Sequence, residues 1–325
     1  MAPFSSVVTL KEGYDPNQDE KIELWRISMD ALSAGKMTWE KFLQGVPVVA
    51  HPARLLTTTE TGQSLLHLAV LANREEIVAA IIAGLPQLKC RRNRLNWTPL
   101  ELAQFLPRER LVSLLQPTPP PLFAADQPNV SIPELGRFES IPKVDYLPQP
   151  LFESEAIFDE ILNRTKKAKK EDAIPPERIW MGIYFDKEIQ TGAHPKVSIR
   201  FIDEEVGVGV FAEQRIPSCA FAGEYRGIVK ERKKKELRDK VHCVRYTVWE
   251  MGRRKFILDA EKRGNFTRFI NHSDKPNLSL QSVYWRGIPR MILVALKEIS
   301  EGTQLTFDYG TFFWKECSQT PVLFE

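Results

Sequence analysis

Gly264-Asn265-Phe266-Thr267-Arg268-Phe269-Ile270-Asn271-His272-Ser273 is the stretch on which the reading of this chain turns. It mixes apolar residues with a polar triplet, Asn271-His272-Ser273. Before it runs Phe256-Ile257-Leu258-Asp259-Ala260, a short apolar run that reads as a buried strand ending in an acid. After it, Asp274-Lys275-Pro276 marks a turn. The triplet is therefore expected at the end of an element, where side chains and backbone N–H groups can face a ligand. Phe266, Phe269 and Ile270 are expected in the core.

Three further stretches share this half of the chain. Val206-Gly207-Val208-Gly209-Val210-Phe211-Ala212 carries a Gly-x-Gly that lets backbone approach a ligand closely. It does not fit a dinucleotide site, because no helix follows and no third Gly stands at the required spacing. A tyrosine framed by glycines lies in Gly223-Glu224-Tyr225-Arg226-Gly227. A second framed tyrosine ends Ile299-Ser300-Glu301-Gly302-Thr303-Gln304-Leu305-Thr306-Phe307-Asp308-Tyr309-Gly310.

Length and composition set the frame. The 325 residues suffice for two domains. With 43% hydrophobic and 27% charged residues, the balance is that of a water-soluble chain. No apolar run approaches the roughly 20 residues a membrane helix needs, and no membrane partner is expected. The N-terminus lacks a secretory pattern. Cys90, Cys219, Cys243 and Cys317 are too far apart for zinc pairs, so no metal is expected, and free thiols suit a reducing intracellular compartment. The net charge of +3 is mild. Residues 226–263, however, hold 14 Lys and Arg against 6 Asp and Glu. That excess suits either a solvated helix face, the commoner case, or contact with DNA phosphates.

Taken in order, the chain begins with a polar stretch and then a helical face, Ile22, Trp25, Ile27, Met29 and Leu32, closed by Gly35. Thr38 can cap a short helix over Trp39 to Leu43. Ser64-Leu65-Leu66-His67-Leu68-Ala69 opens a helical pair, and about 34 residues later Thr98-Pro99-Leu100-Glu101-Leu102-Ala103 opens another. This period and wording resemble ankyrin repeats. The repeats are expected near 61–84 and 94–116, with 19–45 as a divergent cap, giving a helical domain over residues 1–116. The second copy departs from the pattern, since Glu101 stands where the first has His67.

Residues 117–150 carry nine prolines. They read as a Pro-rich linker, or equally as ordered coil packed on the next domain, since Phe123, Ile132, Leu135, Phe138 and Tyr146 are apolar for a free tether. An amphipathic flanking helix is expected from Phe152 to Ala168, ending in Lys166-Lys167-Ala168-Lys169-Lys170. Those lysines suit the helix dipole, or alternatively a nuclear-import or nucleic-acid patch. From Trp180 onward short strands dominate: 181–185, 196–202, 209–212, 220–229, 244–248, 255–258, 278–283 and 290–295, interrupted by a helix over Lys230 to Asp239.

The four stretches together, in order and wording, resemble the SET domain of protein-lysine methyltransferases over roughly residues 180–315. The resemblance implies a multidomain architecture, with helical ankyrin-like repeats followed over 151–325 by a mostly β, β-clip SET domain. Its last strand and the Asn271-His272 stretch would cross in a knot-like arrangement. It implies S-adenosyl-L-methionine as cofactor and a narrow channel for a lysine of a protein substrate, most often a histone. By residue, it makes Tyr309 the catalytic tyrosine, Tyr225 the second channel tyrosine and Phe307 the residue that sets product degree, here di- or trimethyl-lysine. It puts Gly207, Val208, Gly209, Tyr246, Arg268, Asn271 and His272 at the cofactor, and Phe313 and Trp314 at the channel wall.

The chemistry asks for such residues independently of any name. A lysine ammonium, with a pKa of about 10.4, has no lone pair for attack. Desolvation in an aromatic tube favours the free amine, and aromatic faces tolerate the methylated cation.

The sequence also departs from the histone-type pattern. The flanking cysteine-rich zinc segments are absent, which leaves residues 312–324 to complete the pocket, and Ile228 stands where a Glu is usual. The zinc-free form resembles bacterial effector-type SET proteins, and a nuclear location, in a host cell for such an effector, is the expectation. The alternatives are a non-histone lysine methyltransferase and an ankyrin adaptor with an idle SET fold. The partner of the repeats is not legible.

Overall fold

The computed structural model describes residues 18–44, 56–116, 123, 127–132, 143–233, 242–249, 254–310 and 313. The chain divides into two compact units, Met1–Pro119 and Pro120–Glu325.

The first unit is helical. Helices α1 (Gln18–Ser33) and α2 (Trp39–Gln44) bury Trp25, Met29, Leu32, Trp39 and Phe42, with the Trp25 and Phe42 rings 5.0 Å apart. Ile27, expected on the buried face, is exposed. At 3.6 residues per turn it lies across the helix from Trp25 and Met29.

Two further pairs follow, α3 (Leu65–Leu71) with α4 (Glu75–Gly84), and α5 (Pro99–Phe105) with α6 (Glu109–Leu115). The same backbone turn precedes each pair. The Thr59 N–H donates to Gln63 O at 2.9 Å, and the Asn93 N–H donates to Trp97 O at 3.0 Å. Ser64 and Thr98 then cap α3 and α5 through reciprocal boxes whose other halves are the His67 and Glu101 side chains. Glu101 thus replaces His67 in function, because a carboxylate accepts the cap N–H as an imidazole nitrogen does. His67 does more: its Nε2 reaches Trp97 O at 3.0 Å and so links one turn to the next. Burial pushes its imidazole down to about 4, which keeps it neutral.

The second unit is mixed. The proline-rich stretch contributes β1 (Val130–Ser131) and β2 (Asp145–Tyr146). These pair in parallel with β4 (Val197–Asp203) and β10 (Arg263–Gly264). After β3 (Leu151–Phe152) comes α7 (Glu155–Lys170), capped by Ser154, which buries Ile157, Phe158 and Ile161 and carries Lys167, Lys169 and Lys170 in its last turn.

The run 181–185, expected as a strand, is helical. It falls in α8 (Pro176–Tyr184) and leads into α9 (Asp186–Thr191). The Pro175-Pro176 pair starts that helix, since proline is pre-set for a first turn. The apolar run misleads because Trp180, Ile183 and Tyr184 are exposed rather than buried. The helix instead lies on Gly182, where an added Cβ would fall 1.8 Å from the Tyr284 carbonyl oxygen.

Among the described residues the strands form four small sheets. β4 pairs with β5 (Gly207–Ala212). β7 (Ile228–Glu231), β9 (Phe256–Asp259) and β8 (Cys243–Tyr246) follow β3 in one sheet. The helix expected from Lys230 therefore begins as strand, and residues 234–240 lie outside the described residues. The sheet that builds the site runs β11 (Asn271–His272), β14 (Thr306–Phe307), β12 (Leu278–Trp285), β13 (Ile288–Ala295), β6 (Phe221–Glu224). β13 is buried along its whole length. β14 lies parallel to both β11 and β12, so the end of the chain is inserted between two earlier strands.

No helix among the described residues is long and apolar enough to cross a membrane.

Gly182→Ala is expected to push α8 off β12 and lower stability by about 1–3 kcal/mol, the usual cost of overpacking. Urea unfolding reads this as a lower midpoint at unchanged slope.

Candidate active site

The opening stretch folds as a sharp corner. A 3-10 turn over Phe266–Phe269 is buried at all four positions, and β11 follows at once. Thr267 Oγ1 donates to Asn265 Oδ1 at 2.6 Å, and Asn265 Nδ2 donates to Glu224 O at 2.8 Å. The corner is thereby tied to β6. Beyond it, β11 pairs Asn271 with Thr306 and His272 with Phe307. The Asn277 side chain clamps β14 further, as Oδ1 accepts from the Thr306 N–H at 2.9 Å and Nδ2 donates to Gln304 O at 2.7 Å.

This pairing brings sequence-distant residues around one narrow cavity. It encloses about 10 Å³ and is lined by Tyr225, His242, Cys243, Val244, Arg268, Ile270, Phe307, Tyr309 and Phe313. That volume is close to the space one water centre needs, so the cavity admits a thin chain end and nothing bulky. Its aromatic walls touch in series. The Tyr225 and Phe307 rings lie 6.4 Å apart, Phe307 and Tyr309 4.9 Å, and Tyr309 and Phe313 4.7 Å. Trp314 lies outside the described residues, as does the rest of the segment 312–324 expected to complete the pocket, Phe313 excepted.

Both tyrosine hydroxyls are held by backbone. Tyr225 donates to His242 O at 3.1 Å, and Tyr309 donates to Ile270 O at 2.9 Å. Each oxygen keeps lone pairs to accept a further N–H. Burial raises both phenols above their ordinary value, well above it for Tyr225, so both stay protonated at neutral pH. His242 is pushed down to about 4, first by burial and then by the Arg268 charge, and is a weak base.

A second group of expected residues meets beside the cavity. Asn271 Nδ2 donates to Val208 O at 3.0 Å. The Tyr309 N–H donates to His272 Nδ1 at 3.2 Å, which leaves His272 Nε2 to donate to Asp274 at 3.2 Å. Gly209 is packed so closely that an added Cβ would meet Gln304 Nε2 and Ile202 Cδ1 at 2.7 Å. Gly207 has φ +78° with open space above it. The buried Gln304 Nε2 has no hydrogen-bond partner. An unpaired donor and an open glycine fit a polar small molecule lying beside the cavity.

Two residues expected at the cofactor make other contacts in the structure. Tyr246 is a core residue, with its hydroxyl donating to Pro289 O at 2.6 Å and its ring 6.4 Å from that of Phe152. Arg268 lines the aromatic cavity with the two tyrosines.

No motif in the sequence marks His242, Cys243 and Val244 as site residues. The one available signal was the strand start, read a residue late at Val244 instead of Cys243.

Behind Tyr225 lies a buried ionic cluster. The Glu224 carboxylate accepts from Arg226 Nε at 2.9 Å and from Arg290 Nη2 at 2.7 Å, with Arg290 Nε on its other oxygen. Arg290 Nη2 also donates to Gln149 Oε1 at 2.6 Å. Burial alone would raise the Glu224 carboxyl, but the Arg290 and Arg226 guanidiniums hold it below its ordinary value.

Residues 207–310 match the family model of the SET domain. The chain is 35% identical over 133 residues to "Probable histone-lysine N-methyltransferase set-23" of Caenorhabditis briggsae, covering 38% of this chain and 55% of that protein. It is 34% identical over 112 residues to "Histone-lysine N-methyltransferase Set2" of Drosophila melanogaster, covering 34% of this chain and 5% of that protein. Among solved structures, "crystal structure of KRYPTONITE in complex with mCHH DNA, H3(1-15) peptide and SAH" aligns with a TM-score of 0.31 at 28% identity, over 38% of this chain and 25% of that one. The chain thus spans about half the length of the first relative and far less of the second. It carries a SET domain, and its relatives over that segment bear the name histone-lysine methyltransferase.

Glu224→Gln is expected to cost about 3–5 kcal/mol, because two buried guanidiniums lose their counter-charge. The depressed Glu224 carboxyl stabilises the fold above its unfolded value of about 4.5, and that contribution fades as pH falls through the folded value. Thermal unfolding at pH 7 and at pH 3 should therefore show the variant's deficit at pH 7 shrinking at pH 3.

Proposed function

We propose that this chain is an S-adenosyl-L-methionine-dependent protein-lysine methyltransferase with a histone as substrate. The observation that carries this reading is the cavity in which two backbone-anchored tyrosine hydroxyls and two phenylalanine rings enclose the space of one amine. The names of the relatives support the histone substrate.

In this reading Gly207, Val208, Asn271 and His272 hold the cofactor, with Gln304 as an added donor. The cofactor supplies an activated methyl group and a sulfonium charge. Tyr309 and Tyr225 accept N–H bonds from the substrate amine and aim its lone pair along the cavity, and such alignment supplies much of the rate. Phe307, Phe313 and Ile270 exclude water. Because Phe307 has no hydroxyl, the wall leaves room for a methylated nitrogen to turn and react again, which favours di- or trimethyl-lysine.

The insertion of β14 between β11 and β12 supports the knot-like crossing of this domain class. The repeated turn and cap at Thr59–Ser64 and Asn93–Thr98 support an ankyrin-like first unit that binds a protein partner. Action at chromatin, in the nucleus, follows from the histone reading. The charge excess of the stretch 226–263 supports a contact with nucleosomal DNA, though Arg226 and Lys230 within it are spent on Glu224 and Asp259.

The test is transfer of labelled methyl groups to histones and nucleosomes, read by mass spectrometry. Tyr309→Phe is expected to lower kcat by about 100-fold or more, the range lost with one positioned group in proton and charge chemistry. Absence of transfer to any histone or other protein would leave the idle-adaptor reading. Phe307→Tyr is expected to shift the product from di- or trimethyl- to monomethyl-lysine, because the added hydroxyl occupies the space of the turning methyl. An unchanged product distribution would remove Phe307 from that role.

A further inference from the structure

We infer that the buried guanidinium of Arg268 is the charge that keeps an incoming lysine side chain as free amine. The inference rests on the methyltransferase reading of the site.

Arg268 lies in the 3-10 turn before β11, is 4% exposed, and lines the same cavity as Tyr225, Phe307 and Tyr309. Its Nε and Nη1 have no hydrogen-bond partner. The guanidinium is stacked instead over the Phe269 ring, 4.9 Å from its centroid. A buried cation with idle donors is costly to keep, and a residue there solely for packing would need no charge.

The groups facing Arg268 come from several elements. Tyr225 follows β6, His242 and Cys243 lie at the start of β8, Asp259 ends β9, Glu261 stands in the next turn, and Tyr309 follows β14. Of the acids, Asp259 pairs with Lys230 and accepts the Glu261 N–H at 2.9 Å, and Asp259 and Glu261 act on Arg268 through their charge. The tyrosines stay protonated and His242 is a weak base, so no side chain on the cavity wall is a ready acceptor for an ammonium proton.

A like charge beside an amine disfavours its protonated form. Arg268 stays charged throughout the useful pH range even though burial lowers it. Its field therefore moves the loss of the proton ahead of methyl transfer: the ammonium gives its proton to solvent before the side chain seats. The neutral nitrogen then forms its bond to carbon as the carbon–sulfur bond breaks.

The test is the pH profile of kcat, at saturating peptide and cofactor, for methyl transfer to a lysine peptide by the full chain, because kcat reports ionisations within the bound complex. In Arg268→Gln the acid limb should move up by about one pH unit or more, a loss of about tenfold at neutral pH per unit moved. Arg268→Lys, which keeps the charge, should hold the limb within a few tenths of wild type. A peptide with aminoethylcysteine, a less basic amine, in place of lysine should restore most of the Arg268→Gln rate.

An unmoved limb in Arg268→Gln, with wild type active, overturns the assignment. So does a rate loss that the less basic amine leaves unrelieved, or a collapse of cofactor affinity by calorimetry in that variant. If Arg268→Gln fails to fold, the Arg268→Lys profile decides: a limb displaced from wild type overturns the inference. Absence of transfer by wild type overturns the methyltransferase reading, and this inference with it.

Discussion

One buried carboxylate holds the second unit together. Glu224 ends β6, accepts from Arg226 two residues beyond it and from Arg290 on β13, and through Arg290 is joined to Gln149. Its carbonyl oxygen accepts from Asn265 and Thr267 of the corner before β11. Arg226 in turn reaches the Tyr146 hydroxyl at 3.5 Å, at β2. Three charges without water are tolerable only because nearly every donor and acceptor is matched. The arrangement fixes Tyr225 between two immobilised neighbours, and the Tyr225 N–H is pinned on Met291 O at 2.8 Å. The cluster is thus a fold constraint that acts as an aiming device for one wall of the cavity.

The opposite wall depends on order of insertion. Tyr309 gains its place because β14 lies between β11 and β12, where His272 accepts the Tyr309 N–H and Ile270 accepts its hydroxyl. Neither contact exists until residues nearly forty positions apart have paired. Loop closure of that kind costs entropy before any contact returns it, so the cavity is a late product of folding. Asn277 offsets part of that cost by holding both Thr306 and Gln304.

These two constraints explain what sequence could and could not convey. The framed tyrosines, the Gly-x-Gly and the Asn271-His272 pair are local words, and their cooperation could be read from order alone. The repeated cap at Ser64 and Thr98 was legible for the same reason, being a local hydrogen-bond box. The run Met181 to Phe185 is helical against expectation because an apolar run is ambiguous between strand and helix. The deciding fact, a close seat of Gly182 against Tyr284 O, is tertiary. Tyr246 was placed at the cofactor by resemblance, yet its hydroxyl is spent on Pro289 O. His242 and Cys243 carry no motif, and only the pairing of β8 with β9 delivers them to the cavity.

Arg268 shows the limit most plainly. In sequence it is one basic residue inside an apolar run. In the fold it is a cation whose Nε and Nη1 lack hydrogen-bond partners amid tyrosines, while elsewhere in the same unit Glu224 pairs directly with two guanidiniums. The same unit therefore holds Arg226 and Arg290 in direct ion pairs with Glu224 and Arg268 with its Nε and Nη1 unbonded. A buried unpaired charge persists only where the surrounding structure is over-determined, and here the Glu224 cluster and the inserted β14 supply that rigidity. The stability gained in the first place is what permits an electrostatically unfavourable site in the second. The matched and the unmatched arginines are accordingly two halves of one arrangement, in which the fold holds in place a charge that an incoming ammonium would avoid and a free amine would not.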